Sequence, residues 1–293
     1  MKTMGPVDWE TARRSVLRRS RLPLRRSSFP FLSGDTFRGL CGFEFIDNKL
    51  RKISKNPRFP NYIFMQVDSI FVFSEILKSK PFNVIFKSKK YSLVLHNSDT
   101  VLSLEDFEEL LGFVEKVYCV NILEESDRVL ALPMGLENRN KLRNGVEGDY
   151  FLRNRYKTPL NVEREISFLA CFNLLTNPKE RKLALVVAQN LPNSKVILNP
   201  ITPKTYRRYI LSSNYVISPP GNGPDCHRTW EALYLNSIPI VKRDFWPFKN
   251  INIPVFQVED WNYIPKVQED SKLNLKSSFR ESQASDPVYW LTR

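Results

Sequence analysis

From Asn61 onward the apolar residues fall in short unbroken runs: Tyr62-Ile63-Phe64-Met65-Gln66-Val67, then Ser92-Leu93-Val94-Leu95, then Lys116-Val117-Tyr118-Cys119-Val120. Runs of this length bounded by polar turns suit strands covered on both faces, as in a parallel sheet. Helical periodicity separates them over 69–78 and 104–113. The second of these opens with Ser103 and carries Asp106 three residues on, a capping-box-like start. Strand, helix, strand, helix predicts an α/β domain.

The alternation resumes after a stretch at 135–162 that is rich in Gly, Asn, Arg and Pro and lacks periodicity, which suits a connection between lobes. Strands are expected at 166–172, 195–198, 215–218 and 238–242. Helices are expected at 177–189, with Pro178 in the first turn, at 203–212 and at 226–235. A length of 293 residues accommodates two domains of ordinary size. The boundaries read as a leader at 1–40, an N-terminal lobe at 41–150 and a C-terminal lobe at 151–293.

Composition refines this picture. With 42% hydrophobic and 26% charged residues, the body is too apolar to be disordered. The formal net charge of +13 favours an anionic partner, but not which one: nucleotide, phosphoglycan, lipid or nucleic acid. Arg13, Arg14, Arg18, Arg19, Arg21, Arg25 and Arg26 crowd the first 40 residues, which read as a basic, disordered leader, with attachment to a membrane surface or a polyanion as the alternative. No apolar run is long enough for a spanning helix or a secretory signal, and Cys41, Cys119, Cys171 and Cys226 form no CxxC pair. The expectation is a cytoplasmic protein, possible peripheral membrane contact included, with no metal site.

The segment richest in chemistry runs Ser218-Pro219-Pro220-Gly221-Asn222-Gly223-Pro224-Asp225-Cys226-His227-Arg228-Thr229-Trp230-Glu231-Ala232 and continues to Ile238-Pro239-Ile240. A strand leads into a Gly/Pro turn and the turn into a helix, whose first amides and dipole can seat a diphosphate. Arg228 and Glu231, three apart, share a helix face. A guanidinium suits the diphosphate and a carboxylate suits ribose hydroxyls, whereas the bland alternative is an exposed helix ion pair.

This run, of the form Pro-x-Gly-Asn-Gly-x-Asp-x-x-Arg-x-x-Glu-Ala followed by Ile-Pro-hydrophobic, resembles the C-terminal lobes of exostosin-like glycosyltransferases over about 25 residues. Pro220 stands where several members of that family carry a basic residue. The resemblance implies a GT-B fold, two Rossmann-like lobes facing a cleft, with the nucleotide sugar held by the C-terminal lobe. It further implies Arg228 on the diphosphate, Glu231 on the ribose and Gly221, Asn222 and Gly223 in the phosphate-binding turn, with Asp225 and His227 beside them. Lys179 and Arg181 are candidates for a second phosphate contact, or are solvated first-turn charges.

Inverting transfer needs a base for the acceptor hydroxyl. His96 and Asp99, in the loop after a predicted strand, and Glu137, in the loop after the strand at 129–132, are the candidates, with loop stabilisation as the alternative role of each. His227 can touch the diphosphate or sugar, or cap its helix. Phe245, Trp246, Phe248 and Trp261 read as core rather than as a sugar platform. The resulting expectation is a metal-independent glycosyltransferase, without cofactor, that takes a nucleoside-diphosphate sugar as donor and a glycan or lipid-linked saccharide as acceptor. No Asp-x-Asp motif occurs in the chain. The rivals are a non-catalytic nucleotide-sugar or glycan-binding protein of the same fold and, from the charge, a nucleic-acid-binding protein, against which the arginines stand outside the folded body.

Overall fold

The computed structural model describes residues 28–79, 88–139, 147–150, 164–268 and 279–293, together with Val84, Phe86 and Lys141. The arginines at 13–26 and much of the connection at 135–162 lie outside the described residues. The chain is α/β, with two mostly parallel sheets flanked by helices.

The first sheet has the order β2-β1-β3-β4-β5-β6, made of β1 (Cys41–Ile46), β2 (Lys49–Lys52), β3 (Phe59–Gln66), β4 (Ser92–His96), β5 (Val117–Val120) and β6 (Val129–Leu132). All neighbours are parallel except β1 and β2. That hairpin turns through Asp47 and Asn48, both with positive φ, the conformation a two-residue hairpin loop demands and that Asp and Asn tolerate. Every residue of β4 and β5 is buried, which is why their sequences are apolar without alternation.

The second sheet, entirely parallel, has the order β11-β10-β9-β7-β8, from β7 (Ile166–Cys171), β8 (Ser194–Ile197), β9 (Ser213–Ile217), β10 (Ile238–Lys242) and β11 (Phe256–Val258). The chain runs outward from β7 to β8 and then returns to β9 on the other side of β7. The carboxyl ends of β7 and β9 therefore flank a switch point, where open α/β sheets place their ligands.

The helices that flank the sheets among the described residues include α1 (Gly34–Leu40), α2 (Ile70–Lys78), α3 (Pro178–Asn190), α4 (Pro203–Leu211), α5 (His227–Tyr234) and α6 (Pro287–Trp290). The polar residues that start them do so for visible reasons. Ser33, Asn177 and Thr202 each accept an amide hydrogen bond from the first turn of α1, α3 and α4. Among the described residues, no helix is long and apolar enough to cross a membrane.

Two sequence expectations need correction. Residues 104–113 form two separate 3-10 turns, Glu105–Phe107 and Leu110–Gly112, rather than one helix; Phe107 and Leu110 are buried at the three-residue spacing such turns bring into line. Residues 28–40, counted with the leader, are folded. Phe31, Leu32 and Phe37 are fully buried, Phe31 meets the Tyr234 ring at 4.9 Å, and the Leu32 amide donates to the Tyr234 hydroxyl at 2.9 Å.

One continuous apolar core joins the first sheet to α5, α6 and the aromatic stack of Trp230, Trp246, Phe248 and Trp290; a second core, with Phe168, Tyr215 and Trp261, covers the far face of the second sheet. Trp246, Phe248 and Trp261 are thus packing residues, as their pattern suggests.

Candidate active site

The turn after β9 and the start of α5 face the N-terminal sheet, and most of the distinctive motif holds these two parts together. Asp225, buried, accepts three hydrogen bonds of 2.7 Å, from the Met134 amide, the Cys226 amide and the Trp230 indole. Asn222 donates to Asp99 at 2.8 Å. Gly223 packs so closely on Asn121, just beyond β5, that a Cβ there would lie 2.4 Å from the Asn121 amide oxygen. The Gly221 amide donates to Gly223 O, and Gly221 O accepts from the Asn177 side chain. Asn222, Gly223 and Asp225 thus brace the two sheets, whereas Gly221 is bonded within the second part, where a Cβ would lie 3.1 Å from an Arg181 Nη; none of the four lines either of the two cavities described below.

The next residues of the motif turn the other way, into a cavity of about 960 Å³ at the switch point. Arg228 spans the carboxyl ends of both flanking strands: its Nε donates to Cys171 O at 3.1 Å and its Nη1 to Pro219 O at 3.2 Å, and it lies 5.3 Å from the centre of the Phe172 ring. Arg181, from the first turn of α3, donates to Pro220 O, Asn173 O and the Thr176 hydroxyl. Among the described residues neither guanidinium has a carboxylate within ion-pair reach. Burial, followed by the charge of Arg228, lowers the Arg181 pKa to about 10, which leaves it cationic at neutral pH. Two like charges held close together and partly desolvated make a seat for an anion. Glu231, also buried, lines the same cavity and accepts from the Tyr150 hydroxyl at 2.7 Å through one carboxylate oxygen. Lys179 is exposed on the outer face of α3 and does not line the cavity, because helical geometry points positions 179 and 181 in different directions.

A second cavity, of about 710 Å³, opens at the carboxyl ends of β1, β3 and β4. Its charged lining is mostly acidic: Asp35, Glu44, Asp47, Asp68, Asp99 and Glu137 against Arg38 and Lys141. Arg38 is engaged by Glu44 at 2.6 Å and Asp47 by Arg51 at 3.2 Å, while Asp68 accepts from the hydroxyls of Ser98 and Thr100.

Glu137 and His227 border both cavities. His227 Nδ1 lies 2.7 Å from Gly135 O, a contact that requires the proton on Nδ1, and its Nε2 lies 3.6 Å from the Glu137 carboxylate. Glu137 and the Nε2 edge of His227 thus meet in the wall between the two cavities. His96 is differently situated. Buried after β4, it has Nε2 3.1 Å from Pro133 O and accepts the Asn97 amide on Nδ1, so both ring nitrogens are committed, and burial lowers its pKa to about 4. Its place is structural. Asp99 is exposed at the rim of the acidic cavity, tied to Asn222.

Sequence reasoning did not single out Tyr150, Tyr206 or Asn121. Tyr206 and Tyr209, three apart on α4, carry the same signal as a buried helix face, and the role of Asn121 depends on a glycine 102 positions further along. Neither the scan against protein-family models nor the search of curated proteins returned a match to this chain.

Proposed function

We propose that this chain is a glycosyltransferase of the GT-B kind, taking a nucleoside-diphosphate sugar in the switch-point cavity and an acceptor saccharide in the acidic one. The observation that carries this reading is the Arg181–Arg228 pair at the switch point, without a carboxylate partner among the described residues, in a cavity that shares a wall with a second. Exposed Leu175 and Leu198 at the lips of the first cavity suit a nucleobase. The acidic lining of the second suits an acceptor whose reacting end is uncharged.

The chemistry is a single displacement. An acceptor hydroxyl in the shared wall attacks the anomeric carbon; the new glycosidic bond forms as the bond from that carbon to the diphosphate oxygen breaks, inverting the centre. The hydroxyl proton passes to Nε2 of His227, and Glu137 stabilises the imidazolium. The electron pair leaves with the diphosphate, whose growing charge Arg181 and Arg228 offset in a partly dry site, the role a divalent cation plays in other transferases.

A thermal-shift panel of nucleotide sugars tests this directly, because a ligand bound by the folded state alone raises apparent stability according to its affinity. The expected result is a clear rise with at least one donor, insensitive to chelator and lost in Arg228→Ala. No shift with any nucleotide sugar or nucleoside diphosphate refutes the reading.

A further inference from the structure

The acidic cavity carries more negative charge than proton transfer at its shared wall requires. Glu44 and Asp47 are neutralised by Arg38 and Arg51, and Glu137 belongs to the wall itself. Asp68 and Asp99 are differently placed. Both are exposed and line the cavity, and among the described residues both have neutral partners alone. Asp68, in the turn that leads into α2, accepts from the Ser98 hydroxyl at 3.1 Å through Oδ1 and at 3.0 Å through Oδ2, and from the Thr100 hydroxyl through Oδ1. Asp99 follows Ser98 in the chain and accepts from the Asn222 side chain at 2.8 Å. Lys141 lines the same cavity without an ion pair to either carboxylate.

What these two residues lack is a counter-charge rather than a hydrogen bond. Both oxygens of Asp68 already hold hydroxyl donors, so one more neutral hydroxyl from a sugar adds little there. Two like charges held in a cleft raise the local concentration of cations and repel anions. We infer that the acceptor carries a protonated amine, as an amino sugar with a free amino group does, and that Asp68 and Asp99 hold this group while a neutral hydroxyl of the same molecule lies at His227. The same two residues disfavour saccharides with a carboxylate, sulfate or phosphate in that position. This rests on the acidic cavity taking the acceptor, as proposed above. The chain as a whole, at +13, repels cations, so retention of one has to come from a local field such as this.

The test is calorimetric titration of the full chain with the trisaccharides of glucosamine, N-acetylglucosamine and galacturonic acid, in mildly acidic buffer where the free amines are protonated. Asp68→Asn, Asp99→Asn and the double variant are titrated alongside, with Glu105→Gln, an exposed carboxylate outside the cavity, as control. One exposed charge pair changes affinity by about two- to fivefold, so the wild type should hold the glucosamine oligomer about tenfold more tightly than its acetylated form, and the galacturonate not at all. The double variant should bring the first two within about twofold of each other, the single variants should fall between, and Glu105→Gln should leave the preference intact. Asparagine keeps an oxygen for the hydroxyl and amide donors, so the melting temperature and the response to nucleotide sugars should stay as in the wild type. Equal affinity for free and acetylated amines, tighter binding of the galacturonate, no binding of any of the three, or a preference that survives the double substitution would each overturn the inference. Failure of the nucleotide-sugar panel refutes the transferase reading, whereas a positive panel without preference for the free amine refutes the amine assignment alone.

Discussion

Replacing Asp225 with alanine separates two roles for the most distinctive motif in the chain. As a ligand contact, Asp225 would matter for affinity and little for stability. As the brace seen here, it is a buried carboxylate that accepts from the Met134 and Cys226 amides and the Trp230 indole, each at 2.7 Å. Its removal strands three donors in a site closed to water, at about 1 kcal/mol or more each, so Asp225→Ala should cost roughly 3–5 kcal/mol at pH 7. Burial of the carboxylate, only partly offset by those donors, raises its pKa from the ordinary 3.8 to about 6. A raised acid pKa means that the folded state holds the proton more tightly, so the contribution of Asp225 is greatest in acid and falls as pH climbs from about 4 to 6. The stability gap between wild type and variant should therefore be about 1 kcal/mol wider at pH 5 than at pH 7. His96, with its pKa lowered by burial, acts with the opposite sign over a similar range, but it is common to both proteins and drops out of the difference. Urea denaturation at the two pH values measures both quantities. A loss below about 1 kcal/mol at pH 7, or a gap that does not change with pH, would refute the brace.

Glu137→Gln should lower turnover by about a hundredfold or more while leaving donor affinity within twofold, measured by initial rates and calorimetry; a loss confined to KM would contradict its part in proton transfer. His96→Ala should do the reverse, lowering the unfolding free energy by about 2–4 kcal/mol through two lost buried hydrogen bonds and a cavity, with turnover per folded molecule nearly intact. Gly223→Ala should cost about 1–3 kcal/mol in chemical denaturation, because the added carbon meets Asn121, whose amide is held by Ser98 O at 2.8 Å.

How far the sequence discloses this molecule depends on the range of the forces involved. Strands β4, β5, β6, β9 and β10 and helices α3 and α4 were legible to within a residue or two, since their apolar runs, prolines and capping residues are local signals. Arg228 and Glu231 were legible as a pair because their spacing sets them on one face of α5, and Arg181 as a candidate in the first turn of α3. Hairpin β1–β2 was not: the four residues of β2 are all exposed and Leu50 alone among them is apolar, so no apolar run marks them as a strand. Nor was the folded state of residues 28–40, whose burial comes from Tyr234 some two hundred positions away. The glycines illustrate the limit best. Gly-Asn-Gly before a helix has the composition of a phosphate turn, yet the same small residues are needed wherever chains approach closely, and Gly223 is packed in that second way on Asn121 while Gly221 lies beside Arg181.

The brace bears on the chemistry as well as on the fold. Arg228 and His227 are neighbours in sequence, one facing the switch-point cavity and the other the wall it shares with the acidic one, and Asp225 lies two residues before His227. Fixing Asp225 to Met134 sets where α5 begins relative to the loop that carries Gly135 and Glu137. Gly135, at φ +66 and with no room for a Cβ against Leu32 O, in turn presents its carbonyl to His227. The distance from guanidinium to proton acceptor is thus set by a short path of buried hydrogen bonds across the two sheets, without a long loop in it. Near-attack geometry tolerates little displacement. On the proposed function, a motif spent largely on joining the sheets therefore serves the same transfer as His227, Arg228 and Glu231, the three residues of it that line the switch-point cavity.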